Sequence, residues 1–154
     1  MCPRAIEIRP EPSDSATASA LIEEFIAWAE ATYGPYDRNA APAHPHELAP
    51  PDGVFLVARA GSDPVGCAAL KRLDERTGEI KRVHVAERAR RRGAGLALMV
   101  RLENEARARG YERLRLDIGD RQPAAMALYR GLGYVEIPDY NGNRYASHWL
   151  EKRI

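Results

Sequence analysis

The sequence predicts an α/β domain with a mixed, mostly antiparallel sheet and helices on both faces. Between residues 54 and 85, apolar runs are divided by short turn signals, the pattern of an antiparallel meander. A helical repeat then precedes the next strand pattern, which requires the two flanking strands to run parallel. A second helical stripe near the N-terminus supplies a helix for the other face.

In chain order, residues 5–9 alternate and read as a short strand. Ser13 or Ser15 suits the cap of a helix to about Tyr33, with Leu21, Ile22, Phe25, Ile26 and Ala29 as its apolar stripe. Gly34 and Pro35 end it. Residues 34–52 carry Pro35, Pro42, Pro45, Pro50 and Pro51, and such a loop reads equally as a binding-site wall or a connector. Strands are expected at 54–58, 65–73 and 79–85, with turns at 61–64 and 76–78. Residues 96–109 form the next helix, its apolar face being Leu96, Met99, Val100, Leu102 and Ala106. Glu103 with Arg107 and Glu105 with Arg109 are expected i,i+4 pairs, and Gly110 is the stop. A strand at 113–118 follows. Pro123 opens a helix over 124–130, and 134–137 and 146–152 close the sheet. No linker or internal repeat interrupts the chain, so residues 1–154 are expected to form one domain.

An apolar content of 45%, a charged content of 29% and a net charge of +1 describe an ordinary globule rather than a nucleic-acid or membrane binder. No apolar run approaches the roughly 20 residues of a membrane span, and the first residues lack a signal-peptide core. The expected location is the cytoplasm. Cys2 and Cys67 offer at most one disulfide, and Cys67 reads as a small core residue. His44 and His46 have no third ligand in register, so no metal site is expected, and His84 and His148 read as strand residues.

The most informative stretch is Arg90-Arg91-Arg92-Gly93-Ala94-Gly95, after Val83-His84-Val85 and before a helix. A glycine-broken turn at a helix N-terminus leaves backbone N–H groups aimed outward, where the helix dipole adds positive charge. Such a turn seats a phosphate or pyrophosphate. Gly93 and Gly95 let the backbone approach the anion, and the arginines, Arg88 included, add forked donors or are simply solvated charges.

This stretch resembles the signature Gln/Arg-x-x-Gly-x-Gly/Ala of the GNAT superfamily of N-acetyltransferases. Gln122 to Tyr129, continuing through Leu132-Gly133-Tyr134, resembles a second family segment, Asn-x-x-Ala-x-x-x-Tyr ending in Leu-Gly-Phe/Tyr. The resemblance spans residues 53–137 best, and its nearest subgroup is small bacterial acetyltransferases. It implies a splayed parallel strand pair and acetyl-CoA as co-substrate. The cofactor would lie on Val83, His84 and Val85, on the turn Arg90, Arg91, Arg92, Gly93, Ala94, Gly95 and Leu96, and on Gln122 and Ala125. Gln122 departs from the usual Asn, which changes the reach of that amide.

The resemblance further implies direct attack of an amine on the thioester. Glu79, eleven residues before Arg90, has the spacing of the base in histone-type members, and simple alternation puts it on a strand face with Val83 and Val85. Asp117 is the competing carboxylate. Tyr129 occupies the place of the family's acid near the departing sulfur, or else belongs to a core stripe with Ala125, Leu128 and Leu132. Trp28, Tyr33, Tyr36, Asp37 and Arg38, with Tyr140, Asn141, Asn143, Arg144 and Tyr145, would wall an acceptor pocket suited to a small-molecule amine. Two alternatives stay open: a CoA-binding module without turnover, and acetylation of a protein lysine or N-terminus. Family members are often dimers, which makes a homodimer one expected state.

Overall fold

The computed structural model describes residues 5–39 and 42–154. Cys2 lies outside them. Seven strands form one sheet: β1 (Ile6–Pro10), β2 (Val54–Ala60), β3 (Asp63–Arg72), β4 (Thr77–Val85), β5 (Arg113–Ile118), β6 (Val135–Ile137) and β7 (His148–Arg153). Their spatial order is β1-β2-β3-β4-β5-β7-β6, and the β4–β5 pair alone is parallel. The helices are α1 (Ala16–Tyr33), α2 (Ala94–Ala108) and α3 (Pro123–Gly131). The expected mixed sheet is therefore observed.

Strict alternation along β2 divides the interior into two cores. Val54, Leu56 and Ala58 join Leu70, Leu98, Met99, Leu102 and Leu114 beneath α2 and α3. Phe55 and Val57 join Ala18, Leu21, Cys67 and Ala69 beneath α1. Such a period-2 division is what a sheet covered on both faces requires. Ser15 caps α1, its hydroxyl accepting from the Ala18 N–H at 3.0 Å.

Three local expectations are corrected. The buried stripe of α2 runs through Ala94, Leu98, Leu102 and Ala106 with Met99, whereas Leu96 and Val100 are 48% and 45% exposed. The i,i+4 row through Leu98 faces the sheet, and Leu96 and Val100 lie off it. Glu103 does not pair with Arg107. It is buried and accepts from the Lys152 ammonium of β7, while Glu105 pairs with both Arg101 and Arg109. The turn before β4 occupies residues 73–76 rather than 76–78. Gly78 is a strand residue paired with Arg72 and Leu114, and glycine is needed there because a Cβ would lie 2.7 Å from a Leu70 methyl and 3.0 Å from a Leu114 methyl.

Candidate active site

The parallel strands β4 and β5 pair only at Thr77–Arg113, Gly78–Leu114 and Glu79–Arg115, then part. The cause lies in β4. Cys67 faces His84 and Ala69 faces Lys81, so β4 holds one more residue than β3 across this stretch. The extra residue is at Arg82, whose φ of 56° is left-handed. A bulge of this kind bends its strand and turns the following side chains over. Simple alternation therefore fails across it. Lys81 and His84 stand opposite Ala69 and Cys67 of the α1 core, and Lys81 meets Glu79; Val83 and Val85 pack on the α2 side. The expectation that Glu79 shares a face with Val83 and Val85 is corrected.

The parting strands leave a cavity of about 100 Å³. Ile80, Lys81, Arg82 and Val83 line one side and Leu116, Asp117 and Ile118 the other, with Gln122 and Tyr129 of α3 below. Above them come rings from α1 and two loops: Phe25, Trp28, Tyr33, Tyr36 and Tyr145. Tyr36 stacks on Tyr145 with centroids 4.8 Å apart, and Trp28 meets Tyr33 edge-on at 5.8 Å. The Tyr145 hydroxyl accepts from the Asp37 N–H at 2.7 Å, tying the proline-rich loop to the loop before β7. Gly119 is required here, since a Cβ would come within 2.5 Å of the Tyr33 hydroxyl. Of the residues expected to wall an acceptor pocket, Trp28, Tyr33, Tyr36, Asn143 and Tyr145 line this cavity; Asp37, Tyr140, Asn141 and Arg144 lie behind the lining, and Arg38 pairs with Glu23. Phe25, expected only as a core residue, joins them.

Two carboxylates stand at this place in different settings. Glu79 is 3% exposed and does not reach the cavity wall. One of its oxygens accepts from the Tyr140 hydroxyl at 2.6 Å and from Asn141 Nδ2 at 3.3 Å; the other lies 3.4 Å from Lys81 Nζ. Burial, then the Glu79 charge, push the Tyr140 phenol far above its ordinary range. Asp117 does line the cavity, and accepts from Asn141 Nδ2 at 2.6 Å and Asn143 Nδ2 at 3.2 Å. Asn141 therefore bridges the two carboxylates, and Trp149 Nε1 fixes its carbonyl at 2.9 Å. This network is missed by sequence spacing, because the loop bearing Asn141 and Asn143 shows only turn chemistry there.

Tyr129 is buried and lines the cavity. Burial first, and then the charge of Asp117, push its phenol well above the ordinary tyrosine value. Its ring also joins the α2-side core, as the core-stripe reading expects, and meets Tyr134 edge-on at 6.0 Å.

The glycine turn lies at the start of α2, where Gly93 is the N-cap with φ of 80° and no side chain caps the helix. Arg91 also has positive φ, 67°. Alternating right- and left-handed residues curl successive amides around one concavity. A Cβ on Gly93 would meet nothing within 4 Å, whereas one on Gly95 would lie 3.3 Å from a Leu128 methyl and 3.8 Å from Val85. Gly93, Arg91 and Arg92 are exposed, Ala94 is buried, and Leu96 is on the outer surface. Arg90 Nε donates to the Val85 carbonyl at 3.4 Å. Arg88 is a structural residue, donating to Asp63, Glu24 and the Pro64 carbonyl. Gln122 begins α3 without capping it, and Ala125 packs on the α2-side core. His84 is buried against Glu24 at 3.4 Å. Cys67 donates to the Arg82 carbonyl at 3.2 Å, and burial pushes its thiol up to about 12, so it is a core residue. Among the described residues, no group of His, Cys, Asp and Glu is placed to hold a metal, and no helix is long and apolar enough to cross a membrane.

The sequence and the fold have known counterparts. A protein of Azospirillum brasilense named IAA acetyltransferase is 43% identical over 91 residues, 58% of this chain and 59% of its own length. The matched part thus spans about three-fifths of the curated relatives' length. A solved Klebsiella pneumoniae structure, described as a candidate acyl-CoA N-acyltransferase, superposes with a TM-score of 0.78 at 28% identity, covering 97% of this chain and 98% of that one. The PaiA N-acetyltransferase of Thermoplasma acidophilum, solved in complex with coenzyme A, shares the fold with a TM-score of 0.76 at 21% identity, covering 97% and 99%. The family model for the Acetyltransferase (GNAT) family matches residues 17–134, most of the sheet and all three helices, and the chain belongs to that family.

Proposed function

We propose that the protein transfers acetyl from acetyl-CoA to the primary amine of a small molecule. The observation that carries this reading is the β4–β5 gap, where Asp117 and Tyr129 line one cavity close to the glycine turn. The turn suits the donor's pyrophosphate. It has an uncapped helix start, two left-handed residues, and at Gly95 a close approach that a larger side chain would fill. The amides from Arg91 to Leu96 would hold that group, with the exposed Arg91 and Arg92 adding charge. Val83 and Val85 lie on the strand edge freed by the splay, and Gln122 and Ala125 border it from α3.

Acetyl-CoA supplies a thioester carbonyl and a thiolate leaving group. The acceptor's ammonium first gives one proton to solvent, which frees the lone pair; the nitrogen then loses a second as it forms the C–N bond and the C–S electron pair goes to sulfur. Sequence spacing favours Glu79 for that proton; the cavity favours Asp117, which lines it whereas Glu79 does not. In this reading Asp117 takes the proton, and Glu79 holds Tyr140 and Asn141 so that Asn141 orients Asp117. Tyr129, protonated across the neutral range, gives its proton to the thiolate and regains one from solvent.

The test is release of CoA thiol from acetyl-CoA across amino acids, aryl amines, polyamines, aminoglycosides and lysine peptides, with acetyl-CoA binding followed by calorimetry. Selective turnover of a small-amine class is expected. Binding without turnover anywhere would favour the CoA-binding module, and selective turnover of peptides would favour a protein acceptor.

A further inference from the structure

The charges on the cavity wall are few and unevenly satisfied. Lys81 is matched by Glu79 at 3.4 Å, both side chains being nearly buried. Asp117 accepts one amide on each oxygen, which leaves each oxygen a further lone pair. Arg82 is different. Among the described residues no carboxylate or carbonyl accepts from its guanidinium, whereas Arg115, Arg121 and Arg144, which neighbour the lining residues, have Glu151, the Thr32 carbonyl and Asp37 as acceptors. Arg82 is half-buried, and its left-handed backbone is held by the Cys67 thiol on its carbonyl. A half-buried fork of donors with no internal acceptor calls for an anion from outside. The rest of the wall is aromatic. The cavity, about 100 Å³, is open to solvent, so a flat ring can pack on this aromatic wall without being fully enclosed.

We infer that the acceptor is a zwitterion: an α-amino acid with one apolar ring, its ammonium at Asp117, its carboxylate on Arg82 and its ring among Phe25, Trp28, Tyr36 and Tyr145. This rests on the N-acetyltransferase reading above and adds the substrate class to it. One anion and one unmatched cation among the residues that line a common space complement such a molecule. Polyamines and aminoglycosides, which carry only positive charge, would leave Arg82 unpaired and repelled. Arg82 acts here in recognition and takes no part in the proton transfers.

The experiment compares kcat/KM for L-phenylalanine and L-tyrosine with that for phenethylamine and tyramine, which lack the carboxylate, and for spermidine. It uses wild type, Arg82→Gln and Arg82→Lys. The wild type should prefer the amino acids. Arg82→Gln should lower their kcat/KM about tenfold more than that of the arylalkylamines, mainly through KM, and Arg82→Lys should recover part of it. A wild type that acetylates phenethylamine or spermidine as well as phenylalanine overturns the inference, as does an Arg82→Gln loss shared equally by both series. If acetyl-CoA binds but neither ring-bearing series is turned over, the substrate class is wrong and the transferase reading survives. If acetyl-CoA does not bind, the transferase reading itself fails.

Discussion

Asp117 and Tyr129 reach one cavity from different elements, and their surroundings suit them to the opposite tasks of the proposed mechanism. Asp117 is held by two side-chain amides, which keep an anion oriented and leave it basic sites. Tyr129 has a phenol that burial keeps protonated. Asp117→Asn should lower kcat by about 100-fold or more. Glu79→Gln should chiefly raise KM for the amine, because it loosens Tyr140 and Asn141. The reverse outcome would return the base to Glu79. Tyr129→Phe should lower kcat about 100-fold with little change in acetyl-CoA affinity, measured by calorimetry. Of these roles, spacing made Tyr129 and the two carboxylates visible. It did not rank the carboxylates, because their ranking depends on which one Tyr140, Asn141 and Lys81 cover.

Among the elements, the glycine turn and the bulge in β4 decide whether a ligand fits. Gly93→Glu places a carboxylate and a left-handed non-glycine residue at the start of α2. It should abolish acetyl-CoA binding while the fold persists, with Gly93→Ala reporting the backbone strain alone; unchanged affinity would refute the turn assignment. The pair Glu103–Lys152 ties α2 to β7, and Glu103 is 4% exposed. Glu103→Ala should cost about 3 kcal/mol in denaturant unfolding, since it strands a partly buried ammonium. Most of the elements were legible from turn signals and periodicity, to within about two residues. The bulge was not, because Val83-His84-Val85 alternates like any strand and only the left-handed Arg82 flips the register. Nor was the true face of α2, where Leu96 and Leu98 are equally apolar and only the sheet beneath distinguishes them.

The whole molecule has two cores, one on each side of the sheet, and His84 borders the α1 core. Burial holds its imidazole below its ordinary 6.5, with Glu24 pulling the other way. As pH falls below about 6.5, the unfolded chain takes up that proton before the folded one does, so proton uptake favours unfolding. Unfolding midpoints should therefore decline on acidification through this window, and His84→Gln should flatten that part of the curve. The gap between β4 and β5 also divides the sheet mechanically. Only three residue pairs join β1–β4 to β5–β7–β6, and they all lie at one end. We expect that end to act as a hinge, the two blocks being joined elsewhere through the core beneath α2. A donor lying along the freed strand edges would latch them together. Deuterium uptake by the amides of residues 80–85 and 116–118 should slow when acetyl-CoA is added, and the melting temperature should rise with its concentration. How rigid the enzyme is would then be set by how much of its co-substrate is present.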